Sequence, residues 1–246
     1  MSRYLWIALG LLEDIQFFCL HPSQLGHVFH LIYKRNDASE FKFNGQYLTE
    51  SQKICFHFLD QTGRSYSAVI KQLHRELLLS VAIFYLILRG LDTMEDDPSL
   101  EQQTKVSLLR DFKDTIEIND WTFHGNRPEE KDRDLVVHFH NVLAEYRDLK
   151  PAYQAIIREI ADKMGNGMAD YAFKPAIKTV SEYDDYCFYV AGLVGEGLTR
   201  LFVESGLIDS VLLQHSNLHR SMGLLLQKTY LNRDVHEDHN DLALLA

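Results

Sequence analysis

Cysteine is scarce in this sequence of 246 residues. The three cysteines, Cys19, Cys55 and Cys187, are far apart, and none belongs to a C-x-x-C pair. A disulfide framework needs paired cysteines and a structural zinc site needs closely spaced ligands, so this odd, scattered set argues against both. We predict reduced, buried thiols in a protein that faces the cytosol.

Positive charge and long apolar runs are also lacking. The 25 lysines and arginines stand against 35 aspartates and glutamates, a formal net charge of −10. This balance disfavours nucleic acid or an anionic membrane as the main partner. It does not disfavour an anionic substrate, because a bound divalent cation inverts the local field. The longest apolar run, Leu77 to Leu88 with one serine, is too short to span a bilayer and suits a core helix.

The main feature present is an apolar helix that leads into a cluster of carboxylates. Leu77 to Leu91 is apolar nearly all round, which is typical of a buried helix, and acidic residues follow at once. Positions i, i+4, i+7 and i+11 share a helix face, and here they are Tyr85, Arg89, Asp92 and Asp96, with Glu95 beside them. Crowded carboxylates repel one another unless a cation bridges them, and oxygen ligands of this kind suit Mg²⁺.

A similar pattern lies near the other end of the chain. Asp234-x-x-Glu237-Asp238 repeats Asp92-x-x-Glu95-Asp96 and also follows an apolar run. One such motif is weak evidence, since it occurs by chance on many solvated helix ends. Two motifs that each follow an apolar helix favour a magnesium clamp for a diphosphate, above an apolar space.

The sequence resembles the eukaryotic squalene synthases, which have the class I prenyl synthase fold. The resemblance covers most of the chain, in the family's order. It is carried by five blocks, namely Leu59 to Tyr66, Ile83 to Asp97, Met164 to Tyr171, Asp185 to Gly195 and Ser221 to Thr229.

The resemblance implies an all-α fold and a two-step transferase activity. The expected fold is a class I isoprenoid synthase bundle of helices around a central apolar cavity, with residues 1–246 as one monomeric domain. The implied reaction condenses two farnesyl diphosphates to presqualene diphosphate and then reduces this intermediate to squalene with NADPH. Family membership implies a cytosolic location, or a peripheral one at the cytosolic face of the endoplasmic reticulum.

The resemblance also implies roles for particular residues. Asp92, Glu95 and Asp96 are expected to hold one set of Mg²⁺ ions, and Asp234 and Asp238 another. Tyr186 matches the family tyrosine of the first half-reaction, as an acid/base or a stabiliser of the carbocation. Arg64, Arg89 and Arg233 are expected to face diphosphate or the phosphate of the nicotinamide cofactor.

Several positions depart from the family pattern. Tyr230 stands where the family usually has asparagine, Phe188 where it commonly has histidine, and Glu196 where it has a small or apolar residue. The sequence ends at Ala246, so we also expect the family's C-terminal helices and membrane anchor to be absent. Two alternatives therefore stay open, a head-to-head prenyl synthase that does not use NADPH and an inactive paralogue that binds prenyl diphosphate.

Overall fold

The computed structural model describes residues 48–63, 65–174 and 177–229. Within these ranges the protein is built from helices and contains no strand, which confirms the all-α prediction. The α-helices are α1 (Glu50–Gly63), α2 (Ser65–Ile70), α3 (Arg75–Asp96), α4 (Gln102–Thr115), α5 (Arg133–Val137), α6 (Phe139–Asp148), α7 (Pro151–Ala172), α8 (Val180–Cys187), α9 (Leu193–Glu204) and α10 (residues 216–229). A π-helix, Phe188–Gly192, joins α8 to α9, and a 3₁₀ helix, Ser210–Gln214, follows α9.

Local capping explains where several helices begin. At α1, Thr49 Oγ1 accepts from the backbone N–H of Gln52 at 3.1 Å, and Gln52 Oε1 accepts from the N–H of Thr49 at 3.3 Å. This reciprocal pair is a capping box, which satisfies two otherwise unpaired donors. Thr179 caps α8 through the N–H of Glu182 at 3.1 Å, and Pro151 begins α7, where its missing N–H costs nothing.

α3 is the central helix of the described protein. It contacts α1, α2, α4, α5, α6, α7 and α9, and 14 of its 22 residues are buried. The predicted stripe of Tyr85, Arg89, Asp92 and Asp96 lies on the side that is not buried. By length and mean hydropathy (1.7) α3 would pass as a membrane span, but 78% of its apolar window is buried inside the protein, as expected of a core helix.

Two glycines of α7 allow neighbouring elements to approach closely. A Cβ at Gly165 would lie 2.3 Å from the carbonyl oxygen of Leu109 in α4, and one at Gly167 would lie 2.2 Å from the ring of Tyr189. Glycine is therefore required at both positions by packing, despite its cost of about 1 kcal/mol within a helix. Cys55 and Cys187 are buried and free, which confirms the prediction for these two thiols.

Local sequence patterns predict a turn at Asp60 to Gly63 and single helices over Arg133 to Tyr146 and Glu182 to Glu204. The structure differs at all three segments. Asp60 to Gly63 is the last turn of α1, where Thr62 Oγ1 donates to the carbonyl of Phe58 at 2.9 Å. The second segment divides at His138 into α5 and α6, and the π-helix interrupts the third.

Candidate active site

The first acidic motif occupies the last two turns of α3, and Asp97 follows directly after the helix. The buried carboxylate of Asp97 accepts hydrogen bonds from Ser99 N (2.8 Å), Asn126 Nδ2 (2.8 Å) and Arg127 N (3.1 Å). Burial alone would raise the pKa of Asp97, but these hydrogen bonds, led by those from Ser99, lower it to about 2. The end of α3 is thus tied to the loop of residues 116–132.

The three carboxylates just before Asp97 lie in a different electrostatic environment. The Asp92 side chain keeps 31% of its surface exposed but is densely surrounded by protein. Burial raises the pKa of Asp92 to about 8; Arg89 opposes the shift, and repulsion from Asp96 and Glu95 adds to it. Burial and then Asp96 raise the pKa of Glu95 as well. A divalent cation would relieve this repulsion, so the donor chemistry fits Mg²⁺.

The acidic motif does not by itself enclose a metal ion. Across the part of the chain that the structure describes, no three histidine, cysteine, aspartate or glutamate side chains converge as a ligand set. Mg²⁺ commonly keeps several ligands from water and substrate phosphate, with only one or two protein carboxylates. An open rim of carboxylates therefore fits a metal that arrives with a diphosphate.

Arg89 links the acidic motif to a buried carboxylate that the sequence did not reveal. Its Nη1 lies 3.8 Å from Asp92 Oδ2, while its Nε and Nη2 donate to Asp132 Oδ2 at 2.8 and 2.5 Å. Asp132 is 43 residues away in sequence, so helical spacing could not predict this pair. The only local signal is that Asp132 immediately precedes a helix.

Tyr186 lies close enough to the acidic motif for the carboxylates to affect the pKa of its phenol. Burial raises the pKa of its phenol, and the charges of Glu95, Asp96 and Asp92 raise it further. The ring packs on Tyr171, with 5.4 Å between ring centroids. The structure therefore brings Tyr186 near three predicted site residues that precede it by 90 positions or more, a proximity that follows from the packing of α3, α7 and α8.

A cavity of about 380 Å³ opens beside this cluster. Its lining consists of Glu95, Leu100, Gln102, Lys105, Tyr171 and Ala172. Lys105 Nζ donates to the carbonyl oxygen of Glu95, which places one positive charge at the rim. The volume falls within the usual range of small-molecule sites, and Tyr171 connects the cavity to Tyr186.

The π-helix begins two residues after Tyr186. Such π-bulges widen one turn of a helix and occur frequently at functional sites. Here the widened turn meets α10, since a Cβ at Gly223 would lie 2.7 Å from the Ala191 carbonyl oxygen and 2.7 Å from the Gly192 Cα. The contact is between backbones, and only a glycine allows it.

Two ion pairs also hold α10 against α8. Lys228 pairs with Asp184, and Arg220 Nη2 lies 3.9 Å from Asp185 Oδ1. Asp184 and Asp185 immediately precede Tyr186, so the helix that leads toward the second acidic motif is fastened beside the candidate catalytic tyrosine. Neither pair was predicted from the sequence.

Four predicted site residues lie outside the described residues, namely Arg64, Arg233, Asp234 and Asp238. Tyr230, one of the departures from the family pattern, does so too. The other two departures are engaged in packing and ion pairs. The Phe188 ring lies 4.3 Å from the Arg220 guanidinium carbon, and Glu196 pairs with Lys163 at 3.2 Å and Arg200 at 3.5 Å.

Comparisons with known proteins identify the family that the chain resembles. The sequence model of the squalene/phytoene synthases matches residues 59–244. A probable squalene synthase of Neurospora crassa is 50% identical over 95% of this chain and 49% of its own length. The squalene synthase of Saccharomyces cerevisiae is 45% identical over 89% of this chain and 50% of its own length.

A solved structure shows the same architecture. The complex of TcSQS with the ligand BPH1237 matches with a TM-score of 0.73 and 40% identity, over 77% of this chain and 55% of that one. This likeness confirms the isoprenoid synthase helical fold. The chain spans about half the length of the curated relatives it matches.

Proposed function

The chain belongs to the squalene/phytoene synthase family, and on this basis we propose that it is a farnesyl-diphosphate farnesyltransferase of the squalene synthase type. It condenses two farnesyl diphosphates to presqualene diphosphate and, with NADPH, reduces this intermediate to squalene. The observation that carries the proposal is the position of Tyr186 near the acidic motif, since its ring packs on Tyr171 at 5.4 Å between centroids and Tyr171 lines the same cavity as Glu95.

The metal-binding residues in this proposal are Asp92, Glu95 and Asp96, complemented by Asp234 and Asp238 from the second motif. Bound Mg²⁺ would neutralise the diphosphate and make it a better leaving group. The protein supplies a rim of carboxylates at the end of a helix that is rigidly held in the core, so the rim needs little rearrangement when substrate arrives.

Tyr186 has two possible roles in the first half-reaction. Its phenol can move the proton that is lost when the cyclopropane ring closes, and its π face attracts an allylic cation. Neighbouring carboxylates and burial favour the protonated phenol, which can still donate a hydrogen bond and stabilise positive charge. Tyr189 is a weaker candidate, because its ring packs against Gly167.

Apolar side chains of α10 suit the isoprenoid tails. Leu218, Met222 and Leu225 are spaced i, i+4 and i+7 on one face and are 63%, 58% and 63% exposed. An apolar surface beside the reacting carbons would keep water from a carbocation. We propose that this face, together with the cavity beside Tyr171, contacts the farnesyl chains.

Arginines are proposed to face the anionic groups of substrate and cofactor. Arg64 and Arg233 are assigned by the family pattern alone. Arg89, which Asp132 holds at the edge of the acidic motif, is proposed to face the diphosphate. NADPH is proposed because joining two farnesyl units to squalene, with loss of both diphosphates, requires one hydride.

The remaining assignments are also proposals. We propose a monomeric enzyme of isoprenoid and steroid biosynthesis that acts in the cytosol or peripherally at the cytosolic face of the endoplasmic reticulum and does not bind nucleic acid. Its substrates dissolve partly in membranes, which favours a peripheral location.

The decisive experiment incubates the purified protein with farnesyl diphosphate and Mg²⁺, with and without NADPH, and identifies products by mass spectrometry. Squalene that forms only with NADPH supports the full proposal. Presqualene diphosphate under both conditions would restrict it to the first half-reaction. Tight binding of farnesyl diphosphate without product would refute the enzyme assignment and favour an inactive binding protein.

A further inference from the structure

Asp132 occupies the N-cap position of α5 but does not cap that helix. An aspartate there normally accepts a hydrogen bond from the N–H of the second or third helical residue. The Asp132 carboxylate instead accepts two hydrogen bonds from Arg89, at 2.8 and 2.5 Å. Its side chain is 3% exposed. The Asp132 carboxylate is therefore shielded from water, and the Arg89 guanidinium is its charged partner.

The opposite edge of the same guanidinium points toward the acidic motif. Arg89 Nη1 lies 3.8 Å from Asp92 Oδ2, at the outer limit of an ion pair. The planar fork of arginine fixes the direction of the group once Nε and Nη2 are bound. Asp132 therefore limits how closely Arg89 can approach Asp92.

The loop that carries Asp132 is attached to α3 on both sides of the acidic motif, through Arg89 and through Asp97. Asn126 donates to Asp97 at 2.8 Å and to the carbonyl oxygen of Thr93 at 3.1 Å, and Arg133 Nε donates to the Asn126 carbonyl at 3.2 Å. The anchors at residues 89 and 97 lie on either side of the three carboxylates. Asp132 is thus held by a fixed frame rather than by a free loop.

We propose that Asp132 is a positioning residue of the metal site, which restrains Arg89 and so leaves the Asp92 carboxylate available to a divalent cation. Without this restraint Arg89 would form a close i, i+3 pair with Asp92 and compete with the metal for it. The inference rests on the proposed function, because it takes Asp92 to be a metal ligand.

Binding of Mn²⁺ alone to the complete chain tests the proposal, with free Mn²⁺ measured by electron paramagnetic resonance. Asp132→Asn keeps the side-chain size but removes the charge-assisted hold on Arg89, and we expect about tenfold weaker Mn²⁺ binding. Arg89→Gln breaks the same ion pair but removes the competitor, so its Mn²⁺ affinity should equal or exceed that of the wild type. The double variant should behave like Arg89→Gln.

Two controls complete the design. Asp134→Asn removes an exposed carboxylate two residues away and should leave Mn²⁺ binding unchanged. Asp92→Asn should abolish the site, which separates it from adventitious Mn²⁺ binding. Circular dichroism and thermal melting of each variant define a temperature at which all are folded.

The opposite changes expected of the two single variants distinguish positioning from a merely structural role. If the ion pair only stabilised the fold, Asp132→Asn and Arg89→Gln would weaken Mn²⁺ binding alike, and that result would overturn the inference. Unchanged binding in Asp132→Asn, or retained binding in Asp92→Asn, would overturn it too. Product formation from farnesyl diphosphate is measured separately, so a failure of the proposed activity is recognised independently.

Discussion

α3 and α10 each lead toward an acidic motif, but the protein holds them by different means. α3 buries 14 of its 22 residues among seven other helices. Of residues 216–229 in α10, only Gly223 is buried. One backbone contact, two ion pairs and the contact of Arg220 with the Phe188 ring hold the helix against α8 and the π-helix. The first motif is therefore positioned by the core, and the helix before the second by a few specific contacts.

The largest effect is expected at the first motif. Asp92→Asn should lower turnover of farnesyl diphosphate by more than about 100-fold, because the loss of outer partners alone typically weakens metal sites 10–100-fold. The far-UV circular dichroism should stay unchanged, since the side chain lies on the face of α3 that is not buried. Product yield at saturating Mg²⁺ is the measurement, and normal activity would remove the metal assignment.

Gly165→Ala tests how much the close packing of the core helices α4 and α7 contributes to stability. The new methyl group would meet the Leu109 carbonyl oxygen at 2.3 Å and force α4 and α7 apart. We expect a loss of about 1–3 kcal/mol in the free energy of unfolding, or roughly 3–10 °C in Tm. Thermal melting measures it. A Tm equal to that of the wild type would show that the two helices can separate without cost.

The matching test in α10 is Gly223→Ala. The methyl group would meet Ala191 and Gly192 at 2.7 Å and displace α10, whereas the core is untouched. A displacement of about 1 Å at a catalytic site can cost up to about 100-fold in rate, so we expect at least a tenfold loss of activity. The loss of Tm should be smaller than in Gly165→Ala.

Ser221→Ala is the control for this variant, because residue 221 is exposed on the same helix. It should keep both activity and Tm. If Gly223→Ala also kept full activity, the position of α10 would not matter for the reaction.

A smaller effect is expected at the Asp184–Lys228 pair. Lys228→Glu places two carboxylates together and should lower activity a few-fold by loosening α10. The exchanged variant Asp184→Lys/Lys228→Glu restores opposite charges and should recover most of the activity. A double-mutant cycle on the rate constant measures the coupling, and additive losses would show that the pair does not position the helix.

The smallest effect concerns the ion pairs between α7 and α9. Hydrogen bonds from Arg200 and Lys163 lower the pKa of Glu159 from its ordinary value of 4.5 to about 2. A lowered carboxyl pKa stabilises the fold above pH 4.5, and this contribution is lost as the pH falls toward 2. The side chain is 45% exposed, so solvent screening limits the contribution to about 0.5 kcal/mol.

Glu159→Gln should therefore lower Tm by about 1–2 °C at pH 7 and by less at pH 3. Glu129→Gln, which changes an exposed glutamate, serves as the control. A difference from the wild type that grew on acidification would contradict the assignment.

The features that the sequence predicted are those encoded by local spacing. The apolar run before Asp92 predicted a buried α3, and the i, i+4, i+7 rule identified the face that stays uncovered. The division at His138 and the π-helix after Cys187 were not predicted, because α5 and α6 keep an apolar periodicity across their junction and a π-turn changes only the local register. Both depend on how neighbouring helices pack.

The partners of the site residues could not be predicted from the sequence for a related reason. Arg89 was expected to face diphosphate or the cofactor phosphate, and its strongest partner in the structure is Asp132. Nothing in the residues around position 132 indicates which side chain fills the space next to it after folding. The association of Lys228 with Asp184 has the same origin.

By itself, the sequence determined the helical class, the family and the carboxylates that end the apolar helix, because period and charge order are properties of neighbouring residues. The tertiary structure alone decided that Tyr186 stands within the field of those carboxylates, that Asp132 restrains Arg89 and that the pKa of Asp92 is raised to about 8. These depend on distance and on exclusion of water, which arise only when segments far apart in the chain are packed together.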